Sequence, residues 1–203
     1  DFTISDADEQ VEMIRRVARA DGMKLDKQDA KHVAKAVNDR RENQWDNDEY
    51  ENALNGDSTL AKIGDDYLDY LKRNNVIDFS GLLSETIELL ESNDDVRERI
   101  QDQMKFFMTD EVQDTNYAQF YLINLFTAKY NNVFLVGDIS QSVYAFRSAR
   151  YQNIKDFIDQ HSDCRIIELP LNYRSTPQIV KRADSLIRHN SSHMAEQFIT
   201  ENP

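Results

Sequence analysis

Two carboxylates side by side, Asp110 and Glu111, follow directly on the apolar run Phe106-Phe107-Met108. A second run, Val133-Phe134-Leu135-Val136-Gly137, stops in the same way on Asp138, with Gln141 three residues beyond. Short apolar runs that end abruptly on acids are what parallel strands look like when they deliver carboxylates to the end of a sheet. Ligands of open α/β sheets bind at that end. Hydrolysis of a nucleotide phosphate asks for one carboxylate at a magnesium ion and another on the attacking water. Adjacent residues at a strand end point different ways and suit that division. A neutral amide such as Gln141 can meet a terminal phosphate without competing for the metal. The alternative for Asp110-Glu111 is an acidic surface turn, which a chain with 37 Asp and Glu produces often.

Aromatic and basic residues come next. Tyr144, Phe146 and Arg147 fall within four residues, and Tyr173-Arg174 forms a second pair inside Asn172-Tyr173-Arg174-Ser175. Such clusters suit stacking on unpaired bases, at about 1–3 kcal/mol per base, and an Arg fork suits phosphate oxygens. Core packing for the aromatics and a helix-capping loop for the arginine are the competing readings.

Composition bounds these readings. The chain has 203 residues, 40% hydrophobic and 10% aromatic, enough for one ordinary domain or two small ones. A net charge of -13 argues against a broad basic surface for duplex DNA but leaves room for a narrow groove. The single cysteine, Cys164, rules out an internal disulfide, suits a reducing cytosol and reads as a small buried hydrophobe. No long apolar stretch or signal pattern occurs, so no membrane partner is expected and the predicted location is cytoplasmic.

The elements that must position these residues fall into two halves. Residues 1 to about 104 read as helical throughout. Val11, Ile14, Val17 and Ala18 form one stripe, with Asp6, Asp8 and Glu9 at its start. The charged stretch 26–43 has only the thin stripe Val33, Ala34 and Val37 and is predicted to face solvent. Residues 43–57, with Trp45, read as a loop. Helices are predicted over 58–73, from Asp78 with Phe79, Leu82, Leu83, Ile87 and Leu90 inward, and after the break at Asn93-Asp94-Asp95. Beyond 104 the pattern alternates strand and helix: a buried helix over 115–130 capped by Asp114, a strand over 133–137, a helix with Ile154, Phe157 and Ile158 inward, a strand over 165–169, and a helix opened by Ser175 or Thr176 with Pro177 at its first position and Ile179, Ala183, Leu186 and Ile187 inward. Alternation of this kind argues α/β with a mostly parallel sheet.

Four runs together resemble the UvrD/Rep/PcrA family of superfamily 1 DNA helicases. Asp110-Glu111-Val112-Gln113-Asp114-Thr115-Asn116 is similar to the family's motif II, and Val136-Gly137-Asp138-Ile139-Ser140-Gln141-Ser142-Val143-Tyr144-Ala145-Phe146-Arg147-Ser148-Ala149 to motif III. Leu169-Pro170-Leu171-Asn172-Tyr173-Arg174-Ser175-Thr176 resembles motif IV, and Asp78-Phe79-Ser80-Gly81-Leu82-Leu83 the segment that precedes motif II. Phe146 stands where the family more often has Trp, Ser148 where it has Gly, and Ser80-Gly81 where it has two acids.

The resemblance implies that Asp110 holds magnesium with Glu111 beside it, and that Glu111 acts on the attacking water. It implies further that Gln141 and Arg174 meet the γ-phosphate, Tyr173 stacks on adenine, Tyr144 and Phe146 lie on single-stranded DNA, and Arg147 links the two sites. The implied cofactors are ATP and Mg2+, and the implied partners are single-stranded DNA, duplex junctions and the remainder of a parent helicase moving 3′ to 5′. The implied fold is part of a RecA-like P-loop NTPase lobe, a parallel sheet with flanking helices, plus an all-helical insert. Residues 1–77 are assigned to the insert, 78–164 to the rear part of the first lobe and 165–203 to the start of the second. No G-x-x-x-x-G-K-[ST] occurs, and the five glycines leave no room for that loop. The chain is therefore expected to be an internal piece, inactive as an ATPase alone. A non-catalytic helicase-like binding module that has lost its P-loop is the alternative.

Overall fold

The first seven helices each begin on an Asp or Asn whose side chain accepts a backbone N–H of the first turn. Five of these caps are aspartates, Asp6, Asp26, Asp46, Asp57 and Asp78, and they tie off N–H groups that a helix start leaves without partners. A computed structural model of the chain describes residues 2–142, 150, 152–189 and 199–200. It is a mixed α/β structure with small parallel sheets. It divides into two units, one of residues 1–107 and 116–133, the other of residues 108–115 and 134–203.

In the first unit, β1 (Thr3–Ser5) leads through the cap Asp6 into α1 (Ala7–Ala20), where Asp6 and Glu9 form a reciprocal capping box. Val11, Ile14, Val17 and Ala18 are buried, as their spacing predicts. The expectation of an all-helical first half is corrected at β1. This strand pairs in parallel with β2 (Val76–Asp78), in the register Thr3↔Val76, Ile4↔Ile77 and Ser5↔Asp78. Strands of three residues are too short for a period-2 pattern, and their partners lie far apart in sequence.

The second correction concerns α2 (Lys27–Asn43). Its expected solvent-facing character gives way to burial of Ala30, Val33, Ala34, Ala36 and Val37, with α1, α3 (Asn47–Ala53), α4 (Ser58–Asn74), α5 (Phe79–Ser92) and α7 (Tyr117–Thr127) packed around it. Alanine carries little apolar area, so the stripe looks thin, yet its small size lets several helices approach at once. Residues 43–57 are not a simple loop either: α3 forms within them behind a capping box of Asp46 and Glu49. Its Tyr50 is buried against Gly64 of α4, where a Cβ would lie 2.8 Å from Val37 Cγ2 and overlap the Tyr50 hydroxyl. Arg40 covers the Tyr50 ring at 4.6 Å. Burial pushes the phenol up to about 12.

A second small core joins Ile87 and Leu90 of α5 to Ala118 and Leu122 of α7, with Ile100 of α6 (Asp94–Gln103) against it. The cap of α7 is Asn116, boxed with Gln119, and not Asp114. Phe79 is exposed and does not join the inner face of α5.

The strand β3 (Phe107–Thr109) pairs with β4 (Val133–Leu135). Phe107 N–H donates to Asn132 O and Val136 N–H to Thr109 O, both at 2.9 Å, which is the parallel pattern. Burial was expected on both faces, but Met108, at 76% exposure, Phe134 and Val136 face solvent. Two strands make one covered face here, and no other described element overlies the second. In the second unit, α8 (Gln152–Gln160) buries Asn153 and Phe157. Residues 165–169 are irregular rather than a strand, with Ile166, Ile167 and Leu169 exposed; only an isolated bridge, Leu171 with Ile199, follows. Among the described residues this run has no ladder partner, and without one its backbone groups cannot be paired as a strand's are. Cys164, just before it, is half-buried. The last helix, α9 (Pro177–Ile187), turns Val180 and Asp184 inward, so the predicted stripe of Ile179, Ala183, Leu186 and Ile187 is offset from the buried face. Among the described residues no helix is long and apolar enough to cross a membrane.

Candidate active site

Five non-glycine residues of the described structure have positive φ, and four of them (Gln44, Asn55, Asn75 and Asn131) follow helix ends. The fifth is Glu111, with φ 53° and ψ 38°, at the end of β3. A glutamate in the left-handed region is uncommon, and strain of about 1–3 kcal/mol is held only where surrounding contacts fix it. Here Glu111 N–H donates to Asp110 Oδ1 at 2.9 Å, Val112 N–H donates to Val136 O at 3.0 Å, and Asp114 N–H donates to Glu111 O at 2.9 Å. A single 3-10 turn, Val112–Asp114, follows. The chain thus bends sharply at the strand end and leaves both carboxylates exposed to solvent.

From Glu111 a run of hydrogen bonds crosses to the end of β4. Gln113 Nε2 donates to Glu111 Oε2 at 2.6 Å, and Gln113 Oε1 accepts Asp138 N–H at 3.0 Å. Asp138 Oδ1 accepts Ser140 N–H at 2.9 Å, and its Oδ2 accepts Gln141 Nε2 at 2.8 Å. Asp110, Glu111 and Gln141, all singled out from sequence, are therefore joined in one constellation. Gln113 and Asp138 are the members to which sequence reasoning gave no role. The available signal was a Gln between Val112 and Asp114 in an acid-rich run, a pattern that says nothing about burial. Thr115 completes the support: its carbonyl accepts Arg150 N–H at 3.0 Å and Asn153 Nδ2 at 3.1 Å, which anchors the start of α8.

Tyr173 and Arg174 lie on a different loop. Asn172 Oδ1 accepts the N–H groups of Arg174 and Ser175 at 2.9 and 2.8 Å, a side-chain turn that fixes the backbone while leaving Tyr173 and Arg174 exposed. Thr176 occupies the cap position of α9 without a side-chain bond. No hydrogen bond between described residues ties this loop to the Asp110–Gln141 constellation. Tyr144, Phe146 and Arg147 lie outside the described residues.

Among the described residues no group of three or more His, Cys, Asp or Glu could hold a metal ion. The donor set present is one or two exposed carboxylates. That set fits magnesium, which keeps several waters and takes its remaining ligands from phosphate oxygens.

The most buried carboxylate among the described residues is elsewhere. Asp78, 3% exposed, accepts Arg41 Nη2 at 2.7 Å, the Tyr67 hydroxyl at 2.8 Å and Gln10 Nε2 at 3.3 Å on one oxygen, and Gly81 N–H at 2.8 Å on the other. Burial acts to raise its pKa; the hydrogen bond and charge of Arg41, aided by Tyr67 and Gly81, outweigh that and hold it below the usual carboxylate range. Burial and then the Asp78 charge push the Tyr67 phenol well up. Perturbed groups flag functional sites, but here the Asp78 oxygens are occupied by groups of the protein itself, while the buried Arg41 Nε has no hydrogen-bond partner among the described residues.

Comparison with known proteins agrees with the geometry. Residues 1–162 match the family model of the UvrD/REP helicase N-terminal domain. The chain is 32% identical over 203 residues to an ATP-dependent DNA helicase PcrA of Leuconostoc citreum, covering 99% of this chain and 27% of that protein. It is 30% identical to an ATP-dependent DNA helicase UvrD1 of Mycobacterium bovis and 29% identical to an ATP-dependent DNA helicase PcrA of Bacillus subtilis, covering 98% and 99% of this chain and 28% of each relative. The chain spans a little over a quarter of the length of these relatives. On the strength of the family match and the motif residues gathered at the ends of β3 and β4, the chain belongs to the UvrD/REP helicase family.

Proposed function

We propose that this chain supplies the water-activating and phosphate-sensing part of the ATP site of a DNA helicase that works in the cytoplasm, together with a segment that meets single-stranded DNA. The observation that carries the proposal is the hydrogen-bonded run Glu111–Gln113–Asp138–Gln141 at the ends of two parallel strands. Asp110 holds Mg2+ through its exposed carboxylate, with Glu111 alongside. The metal, when bound, neutralises charge on the β- and γ-phosphates. Glu111 takes the proton of the attacking water, a role worth about 10²–10⁴ in rate. Gln141, held by Asp138, meets the γ-phosphate; Arg174 presents its fork to the same oxygens and Tyr173 stacks on the adenine. Tyr144 and Phe146 stack on bases at single-stranded DNA and duplex junctions, and Arg147 links them to the nucleotide. Residues 1–77 form the helical insert, 78–164 the rear part of a first RecA-like lobe and 165–203 the start of a second. The phosphate-cradling loop comes from outside these residues, so the 203-residue chain alone does not hydrolyse ATP. Movement is 3′ to 5′, as the family resemblance implies.

The test is ATP hydrolysis by the full-length product of the reading frame, with and without single-stranded DNA. The proposal expects hydrolysis stimulated by DNA. A product that binds DNA or a protein partner without hydrolysing ATP identifies the non-catalytic module instead.

A further inference from the structure

Gln113 is 1% exposed, yet both ends of its amide reach groups at the two strand ends of the candidate site. Its orientation is fixed by chemistry: Asp138 N–H is a donor and needs the amide oxygen, and the Glu111 carboxylate needs the amide nitrogen. We infer that Gln113 is a positioning residue for ATP hydrolysis, one amide that sets both the orientation of Glu111 and the place of the loop carrying Gln141. The inference rests on the role of Glu111 proposed above.

The two arms of the amide do different work. The arm to Asp138 satisfies a backbone N–H, and any acceptor would serve there. The arm to Glu111 has no packing purpose, because that carboxylate is exposed and water could solvate it. Its effect is to hold a long side chain in one orientation among the several it would otherwise sample. Asp138 then passes the constraint on, since the residue whose N–H is fixed by Gln113 also holds Gln141 Nε2. Gly137 admits the arrangement: a Cβ there would sit 2.6 Å from Gln113 Oε1 and 2.8 Å from Val112 Cγ1. Misplacing a reacting group by about 1 Å costs on the order of 10²-fold in rate, which sets the scale of the effect.

The experiment measures kcat and KM for ATP in the full-length product with saturating single-stranded DNA, for Gln113→Met, Gln113→Glu, Glu111→Gln and the double variant Glu111→Gln/Gln113→Met. Methionine keeps the length and loses both hydrogen bonds; glutamate keeps the acceptor for Asp138 N–H and loses the donor toward Glu111 once it is ionised, so its kcat is measured at alkaline as well as neutral pH. Both single variants at position 113 are expected to lower kcat roughly 10- to 100-fold with KM for ATP nearly unchanged, and the loss in the double variant is expected to be smaller than the product of the two single losses. A full kcat in Gln113→Glu, or a further multiplicative loss in the double variant, overturns the inference while leaving Glu111 as the base. A full rate in Glu111→Gln overturns the reading of Glu111 itself and this inference with it. Should Gln113→Met lower the melting temperature, Gln113→Glu still decides the matter, because it retains the bond to the backbone.

Discussion

Strand β2 ends on an aspartate and β3 runs directly into one, and these two aspartates have opposite fates. Val76-Ile77-Asp78 closes β2, and Phe107-Met108-Thr109 of β3 runs into Asp110. Asp78 is buried, and its oxygens are occupied by Arg41, Tyr67, Gln10 and Gly81. Asp110 is exposed, and one of its oxygens accepts the N–H of the next residue. The first arrangement leaves neither Asp78 oxygen open to solvent, because donors of the protein occupy both. The second holds the carboxylate in place from the backbone side and leaves it open to solvent. The same local sequence cue therefore marks a structural ion pair in one place and a candidate ligand site in the other. What decides is a cation and a phenol that arrive from distant helices.

That contrast can be broken most severely at Asp78. Replacing it with Asn leaves Arg41 buried without its counter-charge and should destabilise the first unit by about 3–5 kcal/mol, read by urea unfolding. The pH dependence has a definite sign. Asp78 is held below its ordinary range when folded, so its stabilisation is complete above the unfolded value and is lost as pH falls through the depressed folded value. The native chain should lose stability in acid, and Asp78→Asn should flatten that loss. Tyr67→Phe removes one bond to the same carboxylate and should cost about 1.5–3 kcal/mol in the same assay. Asp110→Asn is the matching change at the open site and should alter stability by no more than about 0.5 kcal/mol. In the full-length product it should nonetheless abolish magnesium-dependent hydrolysis. Equal stability losses at positions 78 and 110 would erase the distinction.

Local chemistry was legible in the sequence where one segment carries its own explanation. The acids at the start of α1, its buried stripe, the strand cores at 107–109 and 133–135 and the placement of Asp110, Glu111 and Gln141 at their ends all follow from neighbouring residues. Features that depend on distant partners were not legible. The pairing of β1 with β2, the central place of α2 and the pair Arg41–Asp78 each join residues remote in sequence. Residues 165–169 failed in the other direction: their apolar run has strand composition, but strand structure needs a neighbour to bond. Gln113 was passed over because a glutamine in an acid-rich run looks like surface, whereas the turn after β3 folds it inward against Gly137.

The central claim is that the exposed carboxylate at the end of β3 acts on water during ATP hydrolysis. The most direct measurement is the DNA-stimulated ATPase rate of the full-length product beside its Glu111→Gln variant, with ATP affinity measured on both. A fall in kcat of about 10²–10⁴-fold with ATP binding retained is the predicted result. Glu111→Gln hydrolysing ATP at the native rate would contradict it.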